Sequence, residues 1–110
     1  MSPEAVPKNE EIRQRLRRDY DVQGDDLGYL ERCLRANLTE MYSGLRVAVR
    51  NRDWDSVLVT SKALHSVAAN LEWGELRRAA AALQQCAEHR SQEMIRRVLM
   101  KLRQILSVLD

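Results

Sequence analysis

The sequence predicts an all-α fold: an antiparallel four-helix bundle preceded by a short N-terminal helix. Three observations carry this expectation. Apolar residues recur at steps of three and four in every long segment, and no segment alternates with period two. The composition is rich in Leu, Arg, Ala, Glu and Gln, with no Phe, four Gly and two Pro, a mixture that favours helices. The breaks between segments are short, and long helices joined by short connections pack as antiparallel neighbours.

Residues 1–8 hold both prolines, Pro3 and Pro7, and read as a disordered arm ahead of a single domain over 9–110. Ile12, Leu16 and Tyr20 recur every four residues, so about 9–20 forms a short amphipathic helix. Arg13, Arg15, Arg17 and Arg18 crowd it, offset by Glu10, Glu11, Asp19 and Asp21, which reads as a solvated helix face. Val22-Gln23-Gly24 breaks it, and Asp25 or Asp26 suits the next cap.

Leu27, Leu30, Leu34, Leu38, Met41, Leu45 and Ala48 then mark a long helix that ends near Asn51-Arg52. Asp53 is an N-cap candidate for a third helix, with Asp55 favourably placed in its first turn. Val57, Leu64, Val67 or Ala68, and Leu71 give that helix its inward stripe, and Trp54 packs at its start. The next break falls within Asn70 to Gly74. Leu76, Ala79 or Ala80, Leu83 and Cys86 or Ala87 make a fourth helix. Ser91 caps a fifth, with Ile95, Val98 or Leu99, Leu102, Leu106 and Leu109 facing in.

A chain of 110 residues makes one domain. At this size roughly two-thirds of the unfolded surface is buried, enough for an independent core. Lys and Arg number 18 against 16 Asp and Glu, a net charge of +2 that is too balanced to argue for a nucleic-acid or membrane partner. The N-terminus lacks the apolar core of a signal peptide, and no run approaches the roughly 20 apolar residues of a membrane span. Cys33 and Cys86 fall at helical core spacing and read as reduced thiols of a cytoplasmic protein. His65 and His89 have neither the spacing nor the companions of a metal site, and no cofactor is implied. His89 closes the fourth helix, where a cation suits the dipole.

The unusual stretch is Ser61 to Leu71. At about 100° per residue its inward stripe centres on Leu64 and Leu71. The opposite side is Asp55, Leu58, Val59, Lys62, Ser66 and Ala69, with His65 on the flank. A solvated helix face normally carries several charges, and this one is nearly bare. Such a face suits a protein partner, with the small Ser66 and Ala69 permitting close backbone approach. Dimerisation through the Leu58 face is the structural alternative. Trp73, in the turn that follows, is either a packing plug or part of the contact rim.

The run Asp53-Trp54-Asp55-Ser56-Val57 through Leu64, Ala68-Ala69-Asn70-Leu71 and Leu76, with Leu83-Gln84 beyond, resembles the histidine-containing phosphotransfer (HPt) domain of bacterial phosphorelays. That family carries His-x-Leu-Lys-Gly, then a small-residue run ending in Asn-Leu-Gly, then a Leu five residues on. The resemblance spans about residues 25–109 without a gap. Anchored on Leu64 and Asn70-Leu71, the family's phosphoryl-accepting histidine falls on Lys62, its lysine on His65, its first glycine on Ser66 and its later glycine on Glu72.

The resemblance therefore implies a degenerate member: an interaction module, not an enzyme, that docks a response-regulator receiver domain or a histidine kinase. Leu58, Val59, Lys62, His65, Ser66 and Ala69 are its expected contact residues. It would modulate bacterial signalling or gene expression in the cytoplasm, without nucleic acid or membrane as partner. The start methionine and near-complete domain read as a free-standing protein. The alternative is an active transfer protein with His65 as a displaced phosphoryl acceptor and Lys62 as the stabilising cation. Against it, moving the acceptor by three residues shifts it about 4.5 Å along the axis, whereas in-line attack tolerates errors of about 1 Å.

Overall fold

The computed structural model describes residues 9–20 and 25–109. The proposed 1–8 arm and the Val22-Gln23-Gly24 break lie outside them. The described chain is all-helical: α1 (Asn9–Tyr20), α2 (Asp25–Arg50), α3 (Trp54–Asn70), α4 (Gly74–His89) and α5 (Gln92–Leu106), closed by a 3-10 turn over Ser107–Leu109. Each helix lies where the apolar period puts it. α3 packs most extensively on α4, α4 on α5, and α2 touches both α3 and α5, while α1 lies against α2.

Three short connectors share one construction. Arg52, Glu72 and Arg90 each adopt a left-handed backbone, with φ of 55°, 54° and 53°. Behind each, paired main-chain bonds close the preceding helix. Asp53 N–H reaches Ala48 at 2.8 Å, Trp73 N–H reaches Ala68 at 2.9 Å and Ser91 N–H reaches Cys86 at 3.0 Å. This is the Schellman arrangement, which satisfies carbonyls that the helix end leaves orphaned. Glycine is the usual occupant of the left-handed position, and none of the three is glycine.

The next helix then starts at once. Asp53 caps α3, accepting from the Ser56 amide at 3.2 Å and from the Ser56 hydroxyl at 2.6 Å. The hydroxyl bond first, and the amide bond second, hold the Asp53 carboxyl below its ordinary pKa. Ser91 caps α5 through Met94 N–H at 3.4 Å. Trp73 occupies the equivalent place before α4 without a side-chain cap bond, because its indole N–H can only donate and so has no acceptor for the first amides, and the ring is buried in the core.

The core joins all five helices. Ile12 and Leu16 enter from α1, and Leu27, Leu38 and Leu45 from α2. Val57, Leu64 and Ala68 enter from α3, Leu76, Ala80 and Leu83 from α4, and Ile95, Leu99 and Leu102 from α5. Several expectations need correction. Leu106 is half-buried and Ile105 takes the core position beside it, since both are apolar and period alone does not choose. Leu30, Leu34 and Met41 pack at the margin of the core. Cys33 is exposed, and only Cys86 is buried. Trp73 is fully buried, which makes it the packing plug and removes it from any contact rim.

The arginines of α1 are less free than a solvated face requires. Arg13 pairs with Glu31 of α2. Arg15 donates to the Leu71 carbonyl at 2.6 Å, and Arg15 and Arg18 lie 3.8 and 3.4 Å from the Glu72 carboxylate. The run of like charge therefore fastens α1 to the α3–α4 corner.

Candidate docking face on the third helix

α3 begins at a sharp cap and ends in a Schellman turn, so both ends of its outward face are fixed by main-chain bonds. It is the least amphipathic of the five helices, because apolar residues lie on both sides of it. Val57, Ser61, Leu64 and Ala68 are buried at steps of four, three and four. Of the two alternatives for the stripe, Ala68 takes the core position and Val67 is half-buried. The polar Ser61 is tolerated there because its hydroxyl donates to the Val57 carbonyl at 2.6 Å.

On the other side Asp55, Val59, Lys62, Ser66 and Ala69 are exposed. Val59 shows 68% of its surface, among the largest exposures of any apolar side chain described. Leu58, expected on the same side, is half-buried and packs partly against the core. It lies at the edge of the face rather than its centre. Ser66 turns its hydroxyl back to the Lys62 carbonyl at 3.2 Å, which satisfies that group locally and leaves the surface beside it low. No ion pair or hydrogen bond engages the Lys62 ammonium among the described residues.

His65 is half-buried on the flank, three positions from Lys62, so the two side chains are surface neighbours. Among the described residues neither imidazole nitrogen has a hydrogen-bond partner. A nucleophilic imidazole is normally held at one nitrogen so that the other is aimed. At the lower end of the face, a shallow cleft of about 190 Å³ opens between Ala69, Glu72 and Arg77. No three His, Cys, Asp or Glu side chains come together as a metal would need among the described residues. No helix described is long and apolar enough to cross a membrane.

What this arrangement offers chemically is contact. An apolar and small-residue strip carries one unpaired cation, on a helix fixed at both ends. Of the six residues expected opposite the inward stripe, Asp55, Val59, Lys62, Ser66 and Ala69 are exposed and Leu58 is half-buried. Sequence reasoning missed the fastening of Glu72 at the strip's end, for which no local signal exists. Compared with family models, curated proteins and solved structures, the chain has no match.

Proposed function

We propose that this protein is an HPt-like interaction module, an antiparallel four-helix bundle with a short leading helix, that has kept a docking face and lost phosphoryl transfer. The carrying observation is the α3 strip itself: exposed Val59, Ser66 and Ala69 around an unpaired Lys62, at the place where the resemblance calls for histidine. The backbone at Glu72 supports the same register. Its φ of 54° is the conformation glycine favours, and the resemblance puts a glycine there.

The partner is a response-regulator receiver domain or the histidine kinase that feeds it. Val59, with Leu58 at the edge, supplies apolar contact. Ser66 and Ala69 admit the partner's backbone, and His65 borders the interface. Lys62 places a cation toward the acidic pocket of a receiver without delivering a phosphoryl group, since no imidazole stands at that position to carry one. Such a module, working in the cytoplasm, sequesters, tethers or competes, and so modulates bacterial signalling or gene expression.

Titration of a receiver domain by calorimetry tests this reading. Ala69→Arg puts a long charged side chain on the close-approach position, and Leu58→Asp places a charge at the apolar edge. Each is expected to weaken binding at least tenfold with the helical signal intact. Unchanged binding in both variants removes this face as the interface.

A further inference from the structure

A second surface lies on α2 and α5, independent of the α3 strip. At 100° per residue, Arg32, Arg35, Arg46 and Arg50 of α2 fall within about 40° of one line down that helix. All four are exposed. The line is about 27 Å long at 1.5 Å per residue. Arg46, Val49 and Arg50 border a groove of about 230 Å³ with Gln92, Arg96 and Leu99 of α5. Arg103, two turns beyond Arg96, continues on the same side of α5 and is also exposed.

None of these six arginines has a carboxylate partner among the described residues. Among the described side chains, the α2 carboxylates Asp26, Glu31 and Glu40 stand off the line. Glu31 pairs with Arg13 of α1, and Glu40 projects about 120° away. A chain of net charge +2 thus gathers six cations without carboxylate partners along one face, a grouping that composition conceals. Every one of them is arginine, whose planar fork matches phosphate oxygens.

We propose that the α2–α5 arginine face binds the phosphate backbone of double-stranded DNA without reading its sequence. Two physical contrasts select this occupant. An acidic protein segment would gain almost nothing from exposed ion pairs alone and needs an apolar anchor. The groove floor, Val49 and Leu99, is already buried, and of the two large apolar side chains exposed on α5, Met100 lies beside Arg96 while Met94 projects about 160° away. DNA needs no anchor, because each phosphate contact releases condensed counterions. A single strand carries half the axial charge and is held chiefly by stacking on exposed aromatics. Of the two aromatics beside this line, Tyr42 is half-buried, with the Arg46 guanidinium 6.0 Å from its ring centroid, and Tyr29, three positions before Arg32, is a single exposed ring where strand stacking uses several.

The test is fluorescence anisotropy of a labelled 24-base-pair duplex at increasing NaCl. With all six arginines engaged, log affinity should fall against log salt with a slope of about −5. The triple variant Arg46→Gln, Arg50→Gln, Arg96→Gln should reduce the slope to about −3. Arg77→Gln, on α4, should leave it unchanged. If the triple variant loses its helical circular dichroism, the three single variants replace it, each lowering the slope by about 1. The proposal is overturned by no duplex binding at 50 mM salt, or by slopes that ignore these substitutions. Tighter binding of the matching single strand also overturns it. Equal binding of polyglutamate of matched charge would assign the face to an acidic protein instead.

Discussion

The guanidinium of Arg15 in α1 donates a 2.6 Å hydrogen bond to the main-chain carbonyl of Leu71, a residue 56 positions along the chain at the end of α3. The same arginine and Arg18 flank the carboxylate of Glu72. α1 is therefore tied to the turn that closes the candidate docking helix. Replacing Arg15 by Ala removes a part-buried charged hydrogen bond, which costs about 1–2 kcal/mol. Hydrogen exchange should show residues 9–20 losing protection while α4 keeps its own.

The three left-handed connectors make a second prediction. An L-residue in this conformation costs about 1–2 kcal/mol, of which glycine's greater unfolded-state freedom offsets up to about 1 kcal/mol. Arg52→Gly and Arg90→Gly should each stabilise the fold by about 0.5–1 kcal/mol in denaturant titrations. Glu72→Gly should gain less, because it also removes the carboxylate that Arg15 and Arg18 flank. The converse applies in α2, where a Cβ added at Gly44 would meet nothing within 4 Å. Gly44→Ala should stabilise by about 0.5–1 kcal/mol.

Asp53 gives a pH dependence with a definite sign. Its folded pKa is depressed by the Ser56 bonds. Its contribution is thus present above the unfolded value and is lost as pH falls through the folded one. Asp53→Ala should lower the melting temperature at pH 7. The gap between variant and parent should close in acid, below the ordinary carboxylate range. A gap that stays constant into strong acid would mean the cap carries no charge-dependent stability.

The two thiols should differ sharply. Cys33 is exposed on α2, whereas burial pushes the Cys86 thiol up. Thiolate is the reactive form, so Cys86 is shielded twice. Titration with a disulfide reagent should register one thiol in the native protein and both in denaturant.

Much of this fold is legible from apolar spacing. Helix positions need only local periodicity, and the bare side of α3 follows because Val59, Lys62, Ser66 and Ala69 all fall opposite Leu64. What is not legible depends on neighbours. Leu58 sits at the edge of the strip, where its burial is set by what packs beside it. Ile105 and Leu106 are both apolar, so only packing against the other helices selects between them. Ser61 looks like a surface residue until its hydroxyl is seen bonded to the Val57 carbonyl. The partners of Arg15 lie on another helix end, beyond any sequence window. The connectors lack the glycine that normally announces a left-handed residue. The α2–α5 face is hidden in the totals because the acids that balance the charge lie elsewhere.

The central claim is that the α3 face retains its contacts and has given up transfer, and phosphoryl labelling tests it most directly. The protein is mixed with a phosphorylated response-regulator receiver and its cognate histidine kinase, and the label is followed. The account predicts a complex with the receiver and no acid-labile, base-stable label on this chain. Label that appears on the chain and is lost in His65→Gln would contradict it, and would establish His65 as a displaced phosphoryl acceptor.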